Sequence, residues 1–188
     1  MRVLIAEDEA LIRMDLREML EEEGHEVVAE ARDGAEAIAF ARALTPDLIF
    51  MDINMPGVTG IEAAEVIGAE RIAPVVMVTA FSQGAYVEQA ASAGAMAYVV
   101  KPFTRNDVLP AMSLAAARFS EATALAAEVE DLGERLETRK VVDRAKGILM
   151  TRGMSEPEAF KKLQKLAMDK RKTLREIAEA VILTAESE

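Results

Sequence analysis

The stretch Leu48-Ile49-Phe50-Met51-Asp52-Ile53-Asn54-Met55-Pro56-Gly57 constrains this chain more than any other. Four apolar residues in succession leave no polar face, so as a strand they must be covered on both sides. That is the condition of a central strand in a parallel sheet. The run stops at Asp52, and Pro56-Gly57 turns the chain just after it. An acid at the carboxyl end of such a strand lies where open α/β sheets bind ligands. Taken alone, Asp52 reads equally well as a solvated residue closing the strand. The ends of the other strands decide between the two readings.

Four more strands are expected. Arg2 to Ala6 is a short apolar run ending at Glu7-Asp8, and Glu26 to Glu30 is the second strand. The third is Asp47 to Met51, the fourth Pro74 to Val78 before Thr79-Ala80, and the fifth Ala97 to Val100 before Lys101-Pro102. Helical spacing fills the gaps. Leu11, Ile12, Leu16, Met19 and Leu20 precede a capping Gly24, and Ala35 to Leu44 is an alanine-rich helix closed by Thr45-Pro46. Ile61, Ala64 and Ile67 mark a third helix, residues 86–93 a fourth, and Leu109, Met112 and Ala116 a fifth that opens near Thr104. Strands alternating with helices make a doubly wound parallel sheet with right-handed crossovers. No G-x-G-x-x-G follows the first strand, which gives a dinucleotide fold no support.

Beyond Arg118 the strands end. Ala122, Leu125, Val129, Leu132 and Leu136 step by three and four, the narrow seam of a helix that pairs with another helix. A short two-stranded coiled coil is expected there, with Leu125, Val129, Leu132 and Leu136 as its dimer seam. The apolar pattern runs on through Val142, Ala145 and Leu149 to Gly153. Ser155-Glu156-Pro157-Glu158 and Thr173-Leu174-Arg175-Glu176 are capping boxes opening two further helices. The expected organisation is therefore residues 1–118 as an α/β domain, 119–137 as a helical linker, and 138–188 as an all-α three-helix bundle.

Charge divides the chain in the same way. Between Thr138 and Arg175 there are twelve basic and four acidic residues, a net +8, which leaves −19 for the remainder of a chain whose total is −11. An acidic front and a basic rear imply different partners for the two parts. Cysteine is absent, which removes disulfides and thiolate metal sites and fits a reducing cytoplasm. The first strand reaches Glu7-Asp8-Glu9 after too few apolar residues for a signal peptide, and no run approaches a membrane span.

All strand ends of a parallel sheet share one edge, so Glu7, Asp8, Asp52, Thr79 and Lys101 meet there. Three carboxylates in one place repel unless a cation joins them, and an all-oxygen donor set suits Mg²⁺. Beside such an ion Asp52 can act as a nucleophile toward a phosphoryl group, with the Lys101 ammonium and the Thr79 hydroxyl facing the phosphoryl oxygens.

Glu7-Asp8, Asp52 with Met55-Pro56-Gly57, Thr79-Ala80 and Lys101-Pro102 together resemble the receiver domain of two-component response regulators, over about Met1 to Arg118. The resemblance implies a flavodoxin-like sheet of order 2-1-3-4-5, with Asp52 as phospho-acceptor from a sensor histidine kinase. It implies Mg²⁺ held by Asp8, Asp52 and the Asn54 backbone carbonyl, assisted by Glu7. Thr79 and Tyr98 would form the switch pair, Lys101 would sense the phosphate, and the bond before Pro102 would be cis. Glu7 stands where many members carry Asp. The implied chemistry is self-phosphorylation and self-dephosphorylation rather than turnover of a substrate.

Arg144-Ala145-Lys146-Gly147-Ile148-Leu149-Met150, followed by Glu158-Ala159-Phe160, Leu163-Gln164 and Ala167-Met168, resembles the ANTAR domain of AmiR/NasR-type antitermination regulators. The whole arrangement looks like the PdtaR-type receiver–ANTAR regulators. That resemblance implies a cytoplasmic, phosphorylation-switched antiterminator that binds RNA hairpins, with Arg144, Lys146, Gly147, Arg152, Lys165, Arg171 and Lys172 as candidate contacts, and a homodimer. Two other readings stand beside it. A rear bundle binding duplex DNA as a helix-turn-helix would want a glycine in the turn Asp169-Lys170-Arg171-Lys172, which has none. A phosphohydrolase of the haloacid-dehalogenase type would place its nucleophile on the first strand, whereas Asp52 follows the third.

Overall fold

Alternate residues of each central strand feed two different cores. In the computed structural model, which describes residues 1–80 and 94–186, the strands are β1 (Arg2–Ala6), β2 (Glu26–Ala31), β3 (Leu48–Asp52), β4 (Val75–Thr79) and β5 (Ala97–Val100). The helices are α1 (Ala10–Glu22), α2 (Gly34–Leu44), α3 (Gly60–Ala69), α4 (Arg105–Thr151), α5 (Glu156–Lys170) and α6 (Leu174–Glu186). The helix expected over residues 86–93 lies outside the described residues. All paired strands are parallel, in the order β2-β1-β3-β4-β5. Ile49 and Met51 of β3 join Leu4, Met77, Ala37, Ala41, Ala63, Ala64 and Ile67 on the side of α2 and α3. Leu48 and Phe50 join Val3, Ile5, Val76, Val78, Leu16, Leu20, Val108 and Met112 on the side of α1 and α4. A strand buried on both faces follows, as the apolar run requires.

Strand limits differ by one residue where burial outweighs local polarity. Asp47 lies outside β3, where its carboxylate accepts from the Arg2 backbone N–H at 2.6 Å, and Asp52 becomes the last strand residue. β4 likewise starts after Pro74 and takes in Thr79. Gly60 opens α3 against the end of β3. A Cβ added there would lie 1.8 Å from the carbonyl oxygen of Asp52, so only glycine lets the helix start this close to the strand. Thr59 caps that helix and exchanges hydrogen bonds with Glu62.

The chain divides into two compact units, Met1–Ala124 and Leu125–Glu188. The boundary falls within α4, which is one helix of 47 residues from Arg105 to Thr151. The fifth helix, the linker and the first bundle helix are thus continuous: Gly133 costs about 1 kcal/mol of helix propensity without ending the helix. Thr104 opens it, with its hydroxyl donating to Asp107 at 2.7 Å. In the second unit Val142, Ala145 and Leu149 pack on Ala159, Leu163, Ala178 and Ile182. Both expected capping boxes are present. Glu158 accepts from the Ser155 N–H at 2.9 Å, and Glu176 accepts from the Thr173 N–H at 2.8 Å.

Candidate functional site

The sheet register carries the expected residues to one edge. Ala6 pairs with Met51, Asp52 with Val78, and Thr79 with Val100. Glu7 and Asp8 therefore leave β1 beside Asp52, and Lys101 leaves β5 beside Thr79. Glu7, Asp52 and Thr79 are buried, while Asp8 is exposed. The Lys101 ammonium donates to Glu7 Oε2 at 2.7 Å and to Asp52 Oδ1 at 2.9 Å, with a Glu9 carboxylate oxygen at 3.9 Å. The other oxygen of Asp52 accepts from the Asn54 backbone N–H at 3.0 Å. Lys101 is itself placed by its backbone N–H, which donates to the Thr79 carbonyl at 2.7 Å, and the Lys101–Pro102 bond is cis.

Carboxylate oxygens of Glu7, Asp8 and Asp52 lie within 4.8 Å of one another. Burial pushes the Glu7 and Asp52 carboxyls above the usual carboxylate range, against the hydrogen bonds from Lys101 that pull them down. Burial also acts to lower the Lys101 pKa, but its hydrogen bonds to Glu7 and Asp52 prevail and hold it above the ordinary lysine value. One ammonium thus leaves negative charge uncompensated in a partly dry site. An oxygen-only set with one solvent-facing member fits a small hard cation that keeps part of its water shell. Mg²⁺ fits that description, with Glu7, Asp8 and Asp52 as the side chains able to hold it. Tyr98 does not join them. It pairs in register with Met77 and is half exposed, whereas Thr79 is buried.

Sequence reasoning passed over Arg13, which is buried on α1 among more exposed neighbours. Its guanidinium donates to the Glu7 carbonyl, to the Asp8 carbonyl at 3.4 Å, and to Glu30 of β2 at 3.0 Å. One of two arginines in an amphipathic helix, Arg13 carries no sequence signal for this; only the fold shows what it reaches.

The second unit sorts its bases into paired and unpaired ones. Lys146 is held by Asp143 at 2.7 Å and by Glu156 at 2.8 Å, with its side chain 15 % exposed. Lys172 is paired with Glu176 at 2.6 Å. These two candidates are committed to carboxylates. Arg171 takes the left-handed position (φ 53°) that ends α5. Arg144 and Arg152 are exposed. Lys161, Lys162 and Lys165 on α5 are exposed and have no ion pair among the described residues. The first two were not among the expected contacts. Met168, on the face of Lys161 and Lys165, is 76 % exposed. Gly147 faces open space, since a Cβ there would meet nothing within 4 Å. Along α4, Leu125, Val129, Leu132 and Leu136 are each more than half exposed.

Comparison with known proteins agrees with both halves. Residues 3–113 match the response regulator receiver domain and residues 130–182 match the ANTAR domain. The chain is 60 % identical over 184 residues to the transcriptional regulatory protein PdtaR of Mycobacterium tuberculosis, covering 97 % of this chain and 90 % of that protein. It is 39 % identical over 113 residues to the chemotaxis protein CheY of Thermotoga maritima, covering 60 % of this chain and 94 % of CheY. Among solved structures, the signal receiver domain of NarL from Mycobacterium tuberculosis superimposes with a TM-score of 0.59 at 31 % identity, covering 62 % of this chain and 95 % of that one. No helix among the described residues is long and apolar enough to cross a membrane. With a receiver match over its α/β unit and an ANTAR match over its helical end, the chain belongs to the response regulators that carry a receiver domain followed by an ANTAR domain.

Proposed function

We propose that this regulator is switched by phosphorylation of Asp52 and that its helical unit binds RNA hairpins to control transcription antitermination. The observation that carries the reading is the buried Asp52 carboxylate, held at 2.9 Å by Lys101 inside a cluster of acids and joined in one chain to a helical unit that contains the basic stretch of residues 138–175. A sensor histidine kinase supplies the phosphoryl group. An Asp52 oxygen attacks phosphorus, the P–N bond of the kinase phosphohistidine breaks, and the imidazole leaves with a proton. Lys101 then exchanges its ion pair with Asp52 for one with a phosphoryl oxygen, and the buried Thr79 hydroxyl lies at the end of the neighbouring strand. Mg²⁺, when bound, screens the charge that accumulates as the phosphoryl group arrives. The cytoplasm is the expected setting, and residues 1–118, 119–137 and 138–188 remain the working division into receiver, helical linker and RNA-binding bundle.

RNA suits the second unit because the +8 of residues 138–175 includes lysines that no carboxylate among the described residues neutralises, on one side of α5 and next to an exposed methionine. Such cations contact phosphates, while an apolar side chain among them can meet an unstacked loop base. Gly147 leaves room on α4 for a close approach. The −19 of the remaining chain disfavours a polyanion elsewhere. Phosphorylation shifts a pre-existing receiver equilibrium toward the binding-competent form. To test this, the full chain is treated with acetyl phosphate and Mg²⁺ and offered an RNA hairpin pool and duplex DNA at matched salt. Hairpin RNA should be retained more tightly after phosphorylation. Preferential retention of DNA would replace the RNA reading with the helix-turn-helix one.

The exposed seam supports a homodimer. Leu125, Val129, Leu132 and Leu136 form a stripe at a and d spacing that a second copy of α4 would cover. Leu132→Glu would put a carboxylate into that seam, where its desolvation opposes pairing. Sedimentation should show self-association weakened by roughly tenfold or more. A distribution unchanged before and after phosphorylation would assign the stripe another role.

A further inference from the structure

We propose that Arg13 is a positioning residue that sets the β1–α1 loop so that Glu7 and Asp8 stand ready for a divalent cation beside Asp52. The inference rests on the receiver reading of that site. Arg13 touches no ligand atom. Its guanidinium binds the backbone carbonyls of Glu7 and Asp8, the two residues of the loop whose side chains belong to the acid cluster. Its Nε is fixed at 3.0 Å by Glu30 Oε2, and the other oxygen of Glu30 is held at 2.8 Å by Arg17. Arg17 in turn pairs with Glu21 at 2.8 Å. Glu30 of β2, itself braced by Arg17 of α1, thus holds the guanidinium, and the guanidinium holds the loop.

The arrangement answers a physical problem. Three carboxylates within 4.8 Å repel, and Asp8 is exposed, so the cation-free loop gains by swinging Asp8 into solvent. Tethering both carbonyls removes that freedom in advance, and a site organised beforehand binds its ion more tightly. The planar fork of arginine reaches two carbonyls and a carboxylate together, which a lysine ammonium on a flexible stem does not reproduce. A side chain only 10 % exposed also needs all these partners, because a buried cation without them is costly.

The test is Mg²⁺ titration by calorimetry on the full chain at neutral pH, with the thermal midpoint in EDTA measured in parallel. Arg13→Lys should weaken Mg²⁺ about tenfold or more, the usual effect of losing an outer-shell partner, with the EDTA midpoint falling by only a few degrees. Glu30→Gln keeps an acceptor for Nε and should weaken Mg²⁺ less than Arg13→Lys does. Wild-type Mg²⁺ affinity in Arg13→Lys would overturn the proposal. So would an affinity loss in both variants that merely follows their midpoints, since that describes a general structural residue. If the wild-type chain itself bound no Mg²⁺, the receiver reading of the site would fail together with the inference. If it bound and Arg13→Lys bound equally, only the inference would fail.

Discussion

Asp52→Asn should fold, keep its contact with Lys101, and take up no phosphoryl group from acetyl phosphate in Mg²⁺, as read by intact mass. The amide oxygen can still accept from Lys101 where Asp52 Oδ1 does at 2.9 Å, while the amide nitrogen replaces the second oxygen and gives up the bond from the Asn54 N–H along with the nucleophile. The metal-free variant should also melt no lower than the wild type. Burial raises the Asp52 carboxyl above its unfolded value. A group shifted in that direction adds stability below its unfolded pKa and loses it as pH rises through the folded one. At neutral pH ionised Asp52 therefore opposes folding, and a neutral amide in its place would relieve that cost. Glu7 is shifted in the same direction and remains. Lys101→Ala should behave differently, still accepting some label but transmitting less of it to RNA binding. Full labelling of Asp52→Asn would move the acceptor to another carboxylate of the cluster.

What could be read from sequence follows from what decides each feature. The strands of the receiver were legible because burial on both faces demands unbroken apolar runs, and the site was legible because parallel strands bring all their ends to one edge. Asp52, Lys101, Glu7 and Asp8 met there as the topology requires. Arg13 was not legible: its three acceptors lie in the β1–α1 loop and on β2, and no spacing on α1 encodes them. The continuity of α4 was hidden for a different reason. The apolar seam read as a helical linker set between two domains, yet nothing in that stretch stops helical hydrogen bonding, and the fifth helix, the linker and the first bundle helix form one element. Half of the Lys146 pairing was available, since Asp143 lies three residues before it. The other half depends on the turn around Gly153 that returns Glu156 to α4.

That sorting of charges sets up the sharpest test of the output surface. Replacing Lys161, Lys162 and Lys165 together by Gln should lower hairpin affinity on the order of 100-fold near physiological salt, as the loss of several phosphate contacts does. The plot of log affinity against log salt should flatten by about 2 units, because each lost contact removes roughly 0.7 to 0.9. The fold should be indifferent, since these exposed lysines have no ion pair among the described residues. Lys146→Gln should do the reverse. Its ammonium bridges Asp143 and Glu156, so the change should lower the thermal midpoint of the helical unit and leave the salt slope almost unaltered. The control is Arg42→Gln on α2 of the receiver, a residue engaged with Glu70, which should change neither quantity for RNA. The two lysine sets thus predict opposite rows of results from side chains of identical formal charge. A flattened slope in Lys146→Gln with none in the triple variant would move the RNA contact from α5 to the end of α4, around Arg144 and Gly147.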